Sequence, residues 1–305
     1  MDSHFIKTAG EDGTTFTKIL HKKSYPTINP ARPELSQAGR TVLITGGSAG
    51  IGFAIARGFA QAGAERVIIL GRRQKVVDEA ASQLQGEYPS VKIDGRQSDV
   101  SDLDSADGLW GALESEGVHV DVLVLNAGVT TQGSPILELG RDEIWSQYIV
   151  NVRSHLDFTE RFYKQRGDED RGKFLLNVST EAIHNIAKSG PWPSYSLTKN
   201  AGTMLLQQIA KDTPAEKMQV INFHPGVVYT DVFKQNGVPE DAVPFDDADL
   251  SGNFAVWAAS EEARFLHGRF VWAGWDIDEL RSGEIREKLD RNPEFLKVGV
   301  VGLQE

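Results

Sequence analysis

The chain has 305 residues, 40% of them hydrophobic and 25% charged, with 32 basic against 43 acidic side chains, a formal net charge of −11, and no cysteine. That length suits one large α/β domain or two small ones, while the missing thiols exclude disulfides, thiolate zinc sites, iron–sulfur clusters and cysteine nucleophiles. The acidic balance argues against a general nucleic-acid surface, and no apolar run approaches the roughly 18–20 residues of a membrane span.

The start, MDSHFIKTAGEDGTTF, has no apolar centre and does not read as a signal peptide, so a cytoplasmic setting is expected. Residues 1–39 are polar and broken by Pro26, Pro30 and Pro33; they read as an N-terminal arm, with Tyr25 and Ile28 as its anchors. From Arg40 onward, β-branched runs alternate with amphipathic stretches. The expected strands are Thr41–Thr45, Val67–Leu70, Val91–Ile93, Val120–Leu125, Phe174–Val178, Val220–Phe223 and Phe270–Trp272. Between them Ile51–Ala62, Gln74–Leu84, Ile144–Tyr163 and Ser196–Ala210 carry apolar residues near helical spacing. This alternation predicts an α/β fold: one Rossmann-type domain over 40–305, a doubly wound parallel sheet of about seven strands with helices on both faces. Asp231–Ser251 reads as an inserted loop over the substrate. Its acids Asp246, Asp247 and Asp249 are taken as solvated loop carboxylates, not a metal site. The seven histidines form no ligand pattern, so no metal is expected.

Thr45-Gly46-Gly47-Ser48-Ala49-Gly50-Ile51-Gly52 joins the first strand to the first helix. Gly46 supplies a sharp turn, Gly50 lets the main chain approach a pyrophosphate, and Gly52 lets helix and strand pack closely. The anion then rests on the N–H groups of the helix start, Ser48 and Ile51 included. The second strand ends in Leu70-Gly71-Arg72-Arg73, two arginines where an acid would select an unphosphorylated ribose; the guanidinium groups favour NADP(H) over NAD(H).

Tyr195 and Lys199 stand four residues apart at a helix start, which puts both on one face. A phenol titrates near 10, and a neighbouring ammonium is expected to lower that value so that Tyr195 exchanges protons with a carbonyl or alcohol. His184 and His224 read as packing residues, and Trp192, Phe233 and Phe245 as candidates for an apolar pocket, with Trp257 in the core.

The glycine turn and the Tyr-x-x-x-Lys pair together resemble the short-chain dehydrogenase/reductase family, over roughly Arg40 to Leu280. The resemblance implies adenine contacts at Asp99-Val100 and a cofactor-side segment at Asn126-Ala127-Gly128, where Leu125 replaces the family's first Asn. It further implies a proton-relay asparagine at Asn151, and a nicotinamide-side segment at Pro225-Gly226, Val228 and Thr230. The carbonyl-binding hydroxyl falls on Thr180, fifteen residues before Tyr195, with Ser179 beside it as the alternative. Arm and tail are similar to fungal members acting on secondary metabolites.

The implied activity is hydride transfer between NADP(H) and a ketone, aldehyde or secondary alcohol of a small hydrophobic metabolite. Tyr195 is then the acid/base and Lys199 its partner, in a homodimer or homotetramer. A non-redox epimerase, dehydratase or cyclisation enzyme on the same fold is the alternative, and a cofactor-binding scaffold the third.

Overall fold

The computed structural model describes residues 16–130, 133–165, 172–184, 189–190, 192–235 and 237–300. Its centre is a parallel sheet of seven strands: β1 Thr41–Ile44, β2 Arg66–Gly71, β3 Lys92–Gln97, β4 Val122–Leu125, β5 Lys173–Val178, β6 Met218–His224 and β7 Phe270–Trp272. Their spatial order is β3-β2-β1-β4-β5-β6-β7. Parallel neighbours need long crossovers, supplied by α1 Gly50–Gln61, α2 Gln74–Glu87, α3 Leu103–Ser115, α4 Arg141–Tyr148, α5 Ser154–Lys164, α6 Pro193–Lys211 and α7 Ala248–Ala258; α8 Gly283–Arg291 follows β7.

Apolar strands bury both faces, and alternate residues serve opposite cores. Val42 and Ile44 join Ile55 and Phe59 of α1 and Phe254 and Trp257 of α7. Leu43 lies in the other core with Trp110 of α3, Phe158 of α5 and Leu206 of α6. Trp257 is fully buried, in line with its reading as a core residue.

Three elements differ from expectation. β3 runs to Gln97 through Lys-Ile-Asp-Gly-Arg-Gln, because an edge strand tolerates charge; Arg96 satisfies its guanidinium on Asp94 at 2.7 Å and Glu116 at 2.5 Å. The long helix expected over Ile144–Tyr163 is interrupted by a π turn at Ile149–Arg153. The inserted loop is shorter than Asp231–Ser251: Asp231–Gln235 is a helical turn, and α7 already starts at Ala248, where the Asp247 carboxylate accepts the Asp249 N–H at 2.9 Å and caps it.

Residues 16–39 lie along the C-terminal part of the domain. Ile28 and Leu35 are fully buried. The Tyr25 hydroxyl donates to the Trp275 carbonyl and accepts from the Ile277 N–H, each at 3.1 Å. Arg32 grips both oxygens of Glu262 at 2.7 and 3.2 Å. Among the described residues no helix is long and apolar enough to cross a membrane, and no cluster of metal-ligating side chains occurs.

Candidate active site

In a doubly wound sheet the crevice opens at the carboxyl ends of the strands where the strand order reverses, here between β1 and β4. The glycine turn lies there. Gly46 has φ +65°, and a side chain on Gly52 would drive its Cβ to 2.3 Å from the Gly46 carbonyl oxygen. Asn126 locks the turn: its Nδ2 donates to the carbonyls of Thr45 and Gly46 at 3.0 and 3.1 Å, and the Thr45 hydroxyl accepts the N–H groups of Asn126 and Ala127 at 2.9 and 3.0 Å. No side chain caps α1, whose first residue Gly50 faces the Thr230 methyl, and Ile51 packs on the core behind it. An uncapped helix start of this kind, ringed by glycines, fits a pyrophosphate.

At the end of β2, Ser48 Oγ lies 2.9 Å from the point where a Cβ on Gly71 would fall. Arg72 and Arg73 follow, both exposed. Burial works against the Asp99 charge, yet the hydroxyl and N–H of Ser101, at 2.6 and 2.9 Å, and the Arg72 charge hold its carboxyl below the usual range. Val100 beside it is buried.

Asn151 sits in the π turn and is fully buried. Its side chain pairs with the backbone of Val129, accepting the N–H at 3.0 Å and donating to the carbonyl at 2.9 Å, and also donates to the Thr198 hydroxyl at 2.9 Å. Local π turns recur at functional sites. Here it brings the amide against the main chain of Val129, just after Gly128. A Cβ on Gly128 would stand 3.4 Å from Asn151 Oδ1 and 3.7 Å from Lys199 Nζ, so the three positions converge.

Tyr195 and Lys199 both lie in the first turns of α6. Lys199 Nζ donates to the Val178 carbonyl at 2.5 Å, at the end of β5. Tyr195 titrates opposite to the expected direction, since burial pushes its phenol up to about 12; the same cause brings the Lys199 ammonium down to about 8. Desolvation outweighs the attraction expected between them, and it favours the neutral form of each. Ser179 is buried, with its hydroxyl 2.7 Å from that of Thr203, which in turn donates to the Lys199 carbonyl at 2.9 Å. Thr180 is half-buried and caps a 3₁₀ turn, its hydroxyl accepting the Ala182 N–H at 3.3 Å. The connection from Glu181 to Ser194 lies partly outside the described residues, at 185–188 and 191.

After β6, Pro225 and Gly226 lead to Val228 and Thr230. Gly226 has φ +93°, and the Asp246 carboxylate occupies the space where its side chain would go, at 2.6 Å. Asp246 is therefore no solvated loop carboxylate. Its Oδ2 accepts the Val227 N–H at 2.7 Å, and burial pushes its carboxyl up against the pull of that bond and of Lys22. A half-buried acid bonded to main chain looks the same in sequence as its two exposed neighbours, which is why the pattern missed it. Tyr229 was missed too; it joins Phe233 and Phe245 in an aromatic group with Phe245 5.0 Å from each. His224 packs edge-on against Trp272 at 4.8 Å, and the Trp272 N–H donates to His184 at 3.4 Å, so both histidines belong to an aromatic wall.

The fold and this site define a dinucleotide-binding α/β oxidoreductase. A model of the short chain dehydrogenases matches residues 40–241. The chain belongs to the short-chain dehydrogenase/reductase family, whose members use nicotinamide cofactors. It is 36% identical to a short chain dehydrogenase/reductase of Claviceps purpurea, over 93% of this chain and 94% of that protein. It is 33% identical to the short chain dehydrogenase/reductase nsrO of Aspergillus novofumigatus, over 93% and 96%. These fungal alignments extend beyond the segment the family model covers. Among solved structures, L-sorbose reductase from Gluconobacter frateurii superposes with a TM-score of 0.68 at 24% identity, over 78% of this chain and 96% of that one. The NADPH-dependent 3-quinuclidinone reductase from Rhodotorula rubra gives the same score at 21% identity, over 83% and 96%. At these identities the likeness is one of fold.

Proposed function

We propose that the protein is an NADP(H)-dependent oxidoreductase acting on a ketone or aldehyde, or the matching secondary alcohol, of a small hydrophobic metabolite. The observation that carries this reading is the convergence of Lys199 Nζ and Asn151 Oδ1 on Gly128, beside the glycine turn, with Lys199 on the helix that bears Tyr195. Gly46, Ser48, Gly50, Ile51 and Gly52 would hold the pyrophosphate, Arg72 and Arg73 the 2′-phosphate, and Asp99 and Val100 the adenine side. Asn126, Ala127, Gly128, Pro225, Gly226, Val228 and Thr230 would flank the nicotinamide half. Bound there, the cofactor supplies or accepts the hydride.

The side chains divide the proton work. Tyr195, held as a phenol by its burial, donates to the substrate oxygen during reduction. Lys199, brought down to about 8, gives up a proton near neutral pH and restores it. The Thr180 hydroxyl holds the substrate oxygen. The Ser179 hydroxyl, turned to Thr203, supports this choice. Asn151 fixes the segment after β4 at Val129, beside Lys199, and positions a relay water. The neutral aromatic group of Tyr229, Phe233 and Phe245 supports an apolar substrate. Exposed Trp145 and Leu197, on α4 and α6, support association into a homodimer or homotetramer through those helices.

Fluorescence titration with NADPH and NADH tests the cofactor assignment. NADPH is expected to bind at least tenfold more tightly, and Arg72→Ala with Arg73→Ala to remove most of that difference. Equal affinities for both dinucleotides in the wild-type chain would refute the phosphate clamp.

A further inference from the structure

The π turn at Ile149–Arg153 is held from three sides. Asn151 binds the main chain of Val129, next to Gly128, and donates to the Thr198 hydroxyl on the helix that carries Tyr195 and Lys199. That helix also packs directly on the turn at Gly202, where a Cβ would fall 2.5 Å from the Asn151 carbonyl oxygen. The third side is Arg153. Its side chain is half-buried, and its Nη2 donates to the Ser101 carbonyl at 2.5 Å.

Ser101 is itself part of a closed turn. Its N–H and its hydroxyl both donate to one oxygen of Asp99, at 2.9 and 2.6 Å, and the Ser105 hydroxyl of α3 accepts the Asp99 N–H at 3.0 Å. Side chains that bond main chain two residues on fix the shape of such a turn. Arg153 fixes its place against the π turn. A guanidinium suits that task, because it carries several N–H donors on a long stem and a charged donor makes a strong bond to a carbonyl. Two residues of one turn, Asn151 and Arg153, therefore hold the segments assigned above to opposite halves of the dinucleotide: Val129 follows the nicotinamide-side Gly128, and Ser101 follows the adenine-side Asp99 and Val100.

We propose that Arg153 is a positioning residue that couples the two halves of the cofactor site, so that filling the adenine side places Asn151 and Val129 for the nicotinamide side. The proposal rests on the NADP(H) reading and deepens it. Once the Asp99–Ser101 turn is ordered by an adenine, Arg153 is restrained and the π turn with it. A segment already ordered at one end costs less to order at the other. By linkage the effect on affinity is equal in both directions.

The test splits the cofactor. Fluorescence of reduced nicotinamide mononucleotide reports its binding to the full chain, alone and with saturating adenosine 2′-phosphate, which leaves the pyrophosphate seat to the mononucleotide. In the wild type, adenosine 2′-phosphate is expected to tighten mononucleotide binding by about fivefold or more. Arg153→Met should bring that ratio below about twofold. Arg153→Lys keeps a donor for the Ser101 carbonyl and should retain most of the effect. A role confined to stability would weaken the binding of either half and leave the ratio unchanged. Arg153→Gln, too short to reach Ser101, serves if Arg153→Met does not fold. Halves that bind independently in the wild type, or an undiminished ratio in Arg153→Met and Arg153→Gln, would overturn the coupling and leave the cofactor reading standing. A wild-type chain that binds neither half nor NADPH would refute the cofactor reading, and the coupling with it.

Discussion

Asp246 and Val227 hold each other by two main-chain-directed bonds: Asp246 Oδ2 accepts the Val227 N–H at 2.7 Å, and the Val227 carbonyl accepts the Asp246 N–H at 2.8 Å. One carboxylate thereby fixes the segment after β6 that carries Gly226, Val228 and Thr230. Asp246→Ala leaves the Val227 N–H without its acceptor and is expected to cost about 1–3 kcal/mol of stability. It should also raise the Kd for NADPH severalfold. Asp246→Asn, which keeps an acceptor, should recover most of both losses. Thermal denaturation and fluorescence titration of the two variants decide the matter, and identical behaviour would remove the positioning role.

Thr180 and Ser179 are separable by experiment. Thr180→Val preserves shape but removes the hydroxyl, and kcat for ketone reduction should fall on the order of a hundredfold, as for loss of one oxygen-binding donor. Ser179→Ala breaks the contact with Thr203 and should cost about 1 kcal/mol of stability, with a much smaller effect on kcat. Steady-state kinetics on both variants showing the reverse order would move the substrate-binding role to Ser179.

The pH profile follows from buried Lys199 and half-buried Tyr195. Lys199 carries its charge below about pH 8, and Tyr195 keeps its proton to about 12. The kcat/KM for reduction should therefore be level below pH 8 and fall above it, by about tenfold per pH unit once the lysine is neutral. Lys199→Met should lower the plateau by roughly 10² to 10⁴ and abolish the break. A profile that stays flat to pH 10 in the wild type would contradict the assignment of Lys199 as proton source.

His155, buried in α5, is held down to about 3, first by burial and then by the charge of Lys199. Unfolded, the ring takes up a proton below about pH 6.5; folded, it does not until about pH 3. The unfolded chain binds more protons across that window, so this group's contribution is complete above pH 6.5 and is lost as the pH falls, at about 1.4 kcal/mol per unit. Between pH 7 and pH 5, the stability of His155→Phe relative to wild type in urea denaturation should shift by about 2 kcal/mol in the variant's favour. A constant difference across that range would mean that the ring titrates normally in the folded chain.

Much of this architecture is legible in the chain because its signals are local. Runs such as Val-Leu-Val-Leu at β4 are apolar on both faces, and only a doubly covered parallel sheet buries both. The glycine turn is equally readable, since no residue but glycine tolerates the space left beside the Gly46 carbonyl at position 52. What escaped detection depends on contacts distant in sequence. The π turn has no signature in Ile-Val-Asn-Val-Arg; it arises where Asn151 meets Val129 and Thr198. Asp246 resembled its solvated neighbours until Val227 was brought against it. The direction of the Tyr195 shift was misjudged for the same reason: spacing on a helix reports proximity, whereas the depth of burial, set by the whole fold, decides which charge survives.

The most direct test of the central claim is absorbance of NADPH during incubation of the purified chain with apolar ketones, for the wild type and for Tyr195→Phe. The account predicts that NADPH is consumed in step with alcohol formation by the wild type, and that Tyr195→Phe binds NADPH with similar affinity while losing at least a hundredfold in rate. Substrate converted with the NADPH absorbance unchanged would contradict it, and so would a Tyr195→Phe variant as active as the wild type.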